Sequence, residues 1–410
     1  MPTHTKKISL LREQKEPKER RVALTPEQCA ELLDAYPGLK ISIQPCPDRG
    51  YPDAEYAAAG VLVQEALLEG AYLFGIKERK PGTLLPGGRY LLFSHTIKKQ
   101  PANQASLREY IDKGATLYDY ECILDQDTGL RTVAFGHFAG MVGALHAIRM
   151  VGLREGTFTL RAPKEYHTLG EVKEALADLP IAGKKFVLTG HGRVSAGAKA
   201  ILAKAHIKQI EPTEFLTYAG AEPVYCQLGS ADLYAAADGT AFDRKRLYSH
   251  PELFVSLFGP YLAAADVLIT GAFWGPGYPQ LFATGQLALP ETRLRLIADV
   301  SCDINGAVPC TNRASTIHEP YYDIDPTDGP NGSERPAFSS PHHTTLMAVD
   351  NLPCEMPKEA SRHFGEQLMQ YFMGDLLGQG PVAERSKIVA AGHLTAPYQY
   401  LAEWAGAVSV

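Results

Sequence analysis

The sequence of 410 residues contains no Cys-x-x-Cys pair, and its seven cysteines, Cys29, Cys46, Cys122, Cys226, Cys302, Cys310 and Cys354, lie far apart. An odd, scattered set fits reduced, mostly buried thiols and excludes both a disulfide framework and a clustered zinc site. The chain also lacks an excess of basic charge: 40 Lys and Arg stand against 46 Asp and Glu, a formal net charge of -6. A general nucleic-acid binder needs a basic face and is excluded on that ground. No uncharged apolar run reaches the roughly 18 residues that suggest a membrane span. The start, MPTHTKKISLL followed by REQKEPKERR, has too short an apolar stretch for a secretory leader. A cytosolic protein is expected.

What is present is a globular composition, 45% apolar and 21% charged, in a chain too long for one ordinary core. In the first third, Ile8 to Leu11, Lys40 to Gln44, Ala71 to Ile76, Arg89 to Ser94 and Ala115 to Tyr120 read as strands. Thr25-Pro26-Glu27-Gln28 is a helix start with a capping box. The alternation predicts an α/β fold with parallel sheets covered by helices.

A second such unit opens at Lys184 to Gly190, a strand running into glycines, followed by a helix over Ala198 to Ala205 and a strand over Ile207 to Glu211. Val267 to Thr270 and Leu294 to Val300 read as further strands. Asp323 to His343, rich in Pro, Gly and Asp, reads as a long loop and a crossing between domains. Phe364, Leu368 and Phe372, four apart, mark a late amphipathic helix.

The turn Gly190-His191-Gly192-Arg193-Val194-Ser195-Ala196-Gly197 departs from G-x-G-x-x-G, with Ser195 in the place of the third glycine. Its setting between strand and helix, and Glu211 about 20 residues on, where an acid accepts hydrogen bonds from an adenosine ribose, point to a dinucleotide. An S-adenosylmethionine site would show a similar turn.

Lys77, His95 and Glu121 each follow an apolar strand. In an open α/β sheet the carboxyl ends of the strands line the ligand crevice, so the three should share one cleft. A lysine and a histidine placed together suit proton transfer at an amine and at a carbinolamine. The bland alternative is a solvated lysine beside Glu78 and Arg79 with a satisfied loop histidine. Arg20, Arg21, Lys98 and Arg131 add positive charge suited to a substrate with several carboxylates, with a solvated charge run as the bland alternative, which is the reading for Lys99. His342-His343 and Asp323 to Gly329 lack metal-ligand spacing, and no metal is expected.

Taken together, ERRVALTP (19–26), GIKE (75–78), FSHTIKKQPAN (93–103), LYDYE (117–121), VAFGHFAG (133–140), TGHGRVSAGA (189–198), IADVSCDINGAV (297–308) and VDNLPCEMPKEAS (349–361) resemble the lysine-forming saccharopine dehydrogenases. They are more similar still to the lysine-ketoglutarate reductase half of the bifunctional lysine-degrading enzyme, within the alanine dehydrogenase and transhydrogenase superfamily. The resemblance implies two Rossmann-like domains with an active-site cleft between them: residues 1–140 with 345–410 as the catalytic domain, and 141–344 as the dinucleotide-binding domain. It implies interconversion of saccharopine with lysine and 2-oxoglutarate, with Lys77 as the base at the secondary amine and His95 as the acid–base group for water and carbinolamine.

The same resemblance places Arg21, Lys98, Gln100, Glu121, Arg131 and Phe135 at the substrate, and Ala139, Gly140, Gly190, Gly192, Arg193, Val194, Glu211, Asp299, Val300, Ser301 and Cys302 at the cofactor. Val194 stands where fungal enzymes carry a cysteine. Glu211 would repel a 2′-phosphate and favours NAD(H), whereas the reductase half is associated with NADPH; NAD(H) is the expected cofactor. A related alanine dehydrogenase, a carboxyalkyl amino acid synthase and a non-catalytic nucleotide sensor are the alternatives, and oligomeric state is left open.

Overall fold

A computed structural model describes residues 6–16 and 18–406. The reading of the chain's start rests partly on residues 1–5, which lie outside the described residues. Two compact units are present, Met1–Phe135 with Pro357–Val410, and Gly136–Met356.

In the first unit, β1 (Lys7–Leu10), β2 (Lys40–Ile43), β3 (Leu62–Val63), β4 (Tyr72–Phe74), β5 (Arg89–Leu92) and β6 (Thr116–Asp119) form one sheet with the C-terminal strands Lys387–Ala390 and His393–Leu394. The order runs His393–Leu394, Lys387–Ala390, β6, β5, β4, β1, β2, β3. Every pairing among β1 to β6 is parallel, and Lys387–Ala390 joins β6 antiparallel. Almost every residue of β4, β5 and β6 is buried, as expected of strands covered on both faces.

The expected capping box forms. Thr25 Oγ1 accepts the Gln28 N–H, and Gln28 Oε1 accepts the Thr25 N–H, at the head of the helix Pro26–Ala35. Gln28 Nε2 also donates to the Arg362 carbonyl, which ties the first helix to the C-terminal helix Pro357–Leu368 inside the same unit. Phe364, Leu368 and Phe372 are buried along that helix and its π-helical continuation Met369–Met373.

The second unit holds β7 (Lys185–Thr189), β8 (Lys208–Gln209), β9 (Val224–Leu228), β10 (Tyr234–Ala236), β11 (Phe254–Ser256), β12 (Val267–Ile269), β13 (Leu296–Ala298), β14 (Tyr321–Asp325), β15 (Ser333–Arg335) and β16 (Thr344–Met347). Its main sheet is ordered β15, β14, β16, β13, β12, β7, β9, β8, with β10 and β11 a separate antiparallel pair. The helix Gly136–Glu155 packs on the helix Arg193–Lys204 that follows β7.

Three expectations need correction. Asp323 to His343 is not one loop but contains the hairpin β14–β15. Pro326, Gly329, Pro330 and Gly332 lie in the turn, while Asp323 is buried and accepts Thr345 Oγ1 and the N–H groups of Phe338 and Ser339. Nor does this segment cross between units, because the chain returns to the first unit at Pro357. Boundaries drawn at 140 and 344 would cut the helix Gly136–Glu155 and the head of β16, which pairs inside the second sheet with β13. No helix among the described residues is long and apolar enough to cross a membrane.

The contact between the two long helices of the second unit depends on missing side chains. A Cβ on Gly140 would lie 1.7 Å from the Val194 carbonyl oxygen, and one on Gly197 would lie 1.8 Å from that of His137. Gly197→Ala should therefore lower stability by about 3 kcal/mol, the upper end for overpacking. A urea midpoint equal to that of the parent would refute this reading.

Candidate active site

Four neighbouring parallel strands of the first unit, β1, β4, β5 and β6, end on the same side of the sheet. Beyond these ends lie Glu13, Lys77, His95 and Glu121 in that order. Lys77 is half-buried, and its ammonium makes no hydrogen bond or ion pair with another described residue. The Lys77 N–H and that of Ile76 donate to the two oxygens of Glu13, at 3.2 and 2.6 Å. Beside it, Glu78 accepts Lys15.

His95 has φ 54, a left-handed conformation uncommon for a residue with a side chain. Its Nδ1 lies 3.5 Å from Glu121 Oε2. The other Glu121 oxygen accepts Arg131 at 2.8 Å and Lys98 at 3.4 Å. Burial pushes the Glu121 carboxyl up, but the His95 contact and the charges of Lys98 and Arg131 outweigh it and bring it down to about 2. The Arg131 guanidinium also sits 5.5 Å from the Phe93 ring centroid.

The expected substrate residues therefore divide. Lys98, Arg131 and Glu121 gather with His95 in one charged cluster. Arg21 does not offer an open clamp: it is buried, its guanidinium bonds Glu19 through two nitrogens at 2.8 and 2.7 Å, and it lies 4.1 Å from the Phe135 ring centroid. Phe135 is buried too, stacked on Phe364 with centroids 4.3 Å apart. Gln100 is exposed and accepts Asn103 Nδ2.

Two acids at these strand ends were hidden in the sequence. Glu13 sits in the run REQKEPKERR, which reads as solvated charge. Asp119 closes β6 and reads as part of the strand, yet it is fully buried and accepts the N–H groups of Ser94 and Glu121. The strand-end logic applied to Lys77 would have found Glu13 had β1 been treated as a fourth site strand.

In the second unit the glycine turn follows β7. Gly190 has φ +86, and a Cβ there would meet the Ala272 nitrogen at 2.7 Å. Gly192 has open space around it and caps the helix Arg193–Lys204 without a side-chain bond. An open glycine ahead of a helix N-terminus fits a pyrophosphate. Arg193 is exposed and Val194 half-buried at the head of that helix. Ser195 is buried and donates to the Thr189 carbonyl at 2.9 Å, so it closes the turn rather than lining it.

Three cofactor expectations change. Ala139 and Gly140 do not form a turn; they lie within the helix Gly136–Glu155, with Gly140 against Val194. Asp299 is buried and accepts Thr270, Ser301 and Thr311 hydroxyls and the Cys302 N–H, so it shapes the loop through Val300, Ser301 and Cys302 from below. Glu211, exposed at the end of β8, is not on the strand next to the glycine turn, because β9 stands between β7 and β8. β8 keeps only two paired residues and takes the outer edge, about 4.8 Å further out. The neighbouring strand end is Gly229-Ser230, where Asp232 accepts the Gly229 N–H at 2.7 Å.

Residues 9–142 match the family described as alanine dehydrogenase/PNT, N-terminal domain. The α-aminoadipic semialdehyde synthase of Arabidopsis thaliana is 31% identical over 434 residues, covering 93% of this chain and 40% of that protein. The lysine-forming NAD(+) saccharopine dehydrogenase of Emericella nidulans is 27% identical over 371 residues, covering 88% and 89%. The chain is similar to these enzymes over most of its own length. It spans 40% of the Arabidopsis synthase and 48% of the mitochondrial synthase of Bos taurus, so less than half the length of these relatives. Among solved structures, an L-alanine dehydrogenase superposes with a TM-score of 0.65 at 18% identity, over 98% of this chain and 100% of that one. A transhydrogenase from Sinorhizobium meliloti gives 0.55 at 14% identity, over 95% and 100%. These structures share the fold, two Rossmann-like domains.

Glu13 gives the site a titration of its own. Burial and the nearby Glu19 push its carboxyl up to about 7, against the N–H groups of Ile76 and Lys77 and the charge of Arg79. A carboxyl raised in the folded state contributes stability that is full below the unfolded value, about 4.3, and is lost as pH rises through the folded one. Glu13→Gln escapes that loss. Its stability relative to the parent should rise between pH 4 and pH 7 and level off above pH 8. Urea midpoints that differ by the same amount at pH 5 and pH 8 would contradict this.

Proposed function

We propose that the protein is a nicotinamide-dependent oxidoreductase acting on the CH–NH bond of saccharopine, interconverting it with L-lysine and 2-oxoglutarate. The observation that carries this reading is the run of Lys77, His95 and Glu121 on three adjacent parallel strand ends, with Lys98 and Arg131 beside them. Similarity to saccharopine dehydrogenases and semialdehyde synthases supports the choice of substrate. The cationic cluster suits a substrate carrying three carboxylates.

Lys77 takes the proton of the secondary amine as the C–N bond is oxidised to an imine. His95 removes a proton from the water that adds to the imine carbon. It then gives that proton to nitrogen and takes the hydroxyl proton as the carbinolamine collapses to the keto acid and the free amine. Glu121, held as a carboxylate, steadies the charge that His95 gains in each transfer. The dinucleotide supplies the hydride acceptor, and the open Gly192 with the head of the helix Arg193–Lys204 would hold its pyrophosphate.

NAD(H) is the preferred cofactor in this reading, because Glu211 places negative charge on the outer rim of the second sheet. Glu211→Ala should then strengthen NADPH binding relative to NADH by about tenfold, of the order of one charge contact in a partly exposed site. Equal dissociation constants for the parent and variant, by quenching of protein fluorescence, would move the choice to the Gly229–Asp232 strand end.

Lys77→Met and His95→Gln should each lower turnover by about 10²-fold or more, the usual scale of an acid–base group. A folded double variant that oxidises saccharopine at the parental rate would overturn the assignment. A panel of lysine, other amines, 2-oxoglutarate and pyruvate with NADH and NADPH separates this activity from that of an alanine dehydrogenase or carboxyalkyl amino acid synthase. Cofactor binding with no turnover on any pair would favour a nucleotide sensor.

A further inference from the structure

Asp119 ends β6 with no exposed surface. One of its oxygens accepts the Glu121 N–H at 2.7 Å. The other accepts the Ser94 N–H at 2.9 Å and the Ser94 hydroxyl. That hydroxyl is 2.8 Å from Thr96 Oγ1, and Thr96 is itself fully buried. All three donors to Asp119 come from the ends of two paired strands, β5 and β6. Between Ser94 and Thr96 stands His95 with its left-handed φ of 54.

A residue with a side chain stays in that conformation only where its surroundings over-determine it. Here the residues on both sides of His95 are anchored, the first directly to Asp119 and the second through the Ser94 hydroxyl. The same carboxylate anchors Glu121, whose side chain lies 3.5 Å from His95 Nδ1. Both partners of that contact are thus referred to one buried group. Lys77 is not: its backbone is held by Glu13.

We propose that Asp119 is a positioning residue, a buried carboxylate that sets His95 against Glu121 for proton transfer. The inference rests on the acid–base role given to His95 above. Asp119→Asn is the discriminating change, because it keeps the shape but replaces an acceptor oxygen with an NH2 donor that faces the donors of Ser94 or Glu121. The strand remains, while the two ends it aligned lose their common acceptor.

The test is a double-mutant cycle on saccharopine oxidation. Asp119→Asn alone should lower kcat by about 30-fold or more with the KM for saccharopine changed less than threefold, on the scale of a misplaced acid–base group. In a His95→Gln background the same change should cost less than about twofold, since residues acting as a unit are non-additive. In a Lys77→Met background it should cost its full factor. Equal losses in all three backgrounds would mean that Asp119 serves the fold alone and would overturn the proposal.

If Asp119→Asn does not fold, Ser94→Ala removes one of the three donors and should show the same pattern with a smaller loss; additive losses there also overturn it. The ring ¹⁵N signals of His95, identified by their absence in His95→Gln, give a readout without turnover. They should shift in Asp119→Asn, and unchanged signals would overturn the positioning role. A parent enzyme inert toward saccharopine, with the His95 signals still shifted by Asp119→Asn, would instead sink the substrate assignment and leave the positioning role standing.

Discussion

Backbone N–H groups that run out past the end of a parallel sheet lose their ladder partners, and a buried group left unbonded is costly. This chain meets that constraint with carboxylates that are buried, as Asp119 and Asp299 are, or half-buried, as Glu13 is. Asp119 receives the turns after β5 and β6, and Glu13 receives the turn after β4. In the second unit Asp299 does the same for the loop after β13, with hydroxyls of Thr270, Ser301 and Thr311 and the Cys302 N–H. Each acid sits behind a segment that carries residues of the candidate sites. The geometry of those residues is therefore set by satisfaction of backbone donors rather than by contacts among their own side chains.

Charge follows from the same arrangement. Glu19 engages Arg21 in a buried two-point pair, which turns that arginine inward against Phe135. Glu121 gathers Arg131, Lys98 and His95, and the His95 contact with the charges of Lys98 and Arg131 keeps it ionised despite its burial. The positive charge at these strand ends accordingly concentrates at Lys98 and Arg131, beside Glu121. In the second unit, His146 and Glu355 form a buried pair at 2.7 Å, with Tyr321 on the other ring nitrogen. Removing one partner of such a pair strands the other in a low-dielectric interior, so this contact binds the helix Gly136–Glu155 to the segment Leu352–Glu355.

Much of this was legible in the sequence, for a physical reason. Strands covered on both faces need continuous apolar runs, so the polar residues that follow them, Lys77, His95 and Glu121, stand out. Glu13 did not, because it lies inside a run of alternating charge where one half-buried acid looks like its solvated neighbours. Asp119 did not, because an acid as the last residue of a strand is indistinguishable by pattern from one facing water. The β14–β15 hairpin was lost for the converse reason: its turn composition is strong, and its strands, three and five residues long, are weak by comparison. That Glu211 stands two strands out from the glycine turn was not legible, because order in a sheet depends on which edge is free, and nothing in the pattern of β8 and β9 says that β9 takes the inner place.

The odd glycine turn has a structural account in the packing behind it. In the usual pattern a third glycine lets the helix approach its strand closely. Here the side chain in that place, Ser195, folds back to bond the Thr189 carbonyl, and a Cβ on Gly271 would meet its hydroxyl at 2.8 Å, so the close approach is shared with the turn after β12. Gly197, two residues later, serves a different neighbour: it admits the His137 carbonyl, as Gly140 admits that of Val194. The glycine displaced along the sequence thus marks a change of partner, from strand to helix. Among the glycines of the turn, Gly192 is the one with nothing within 4 Å of a Cβ, which leaves space there for a ligand.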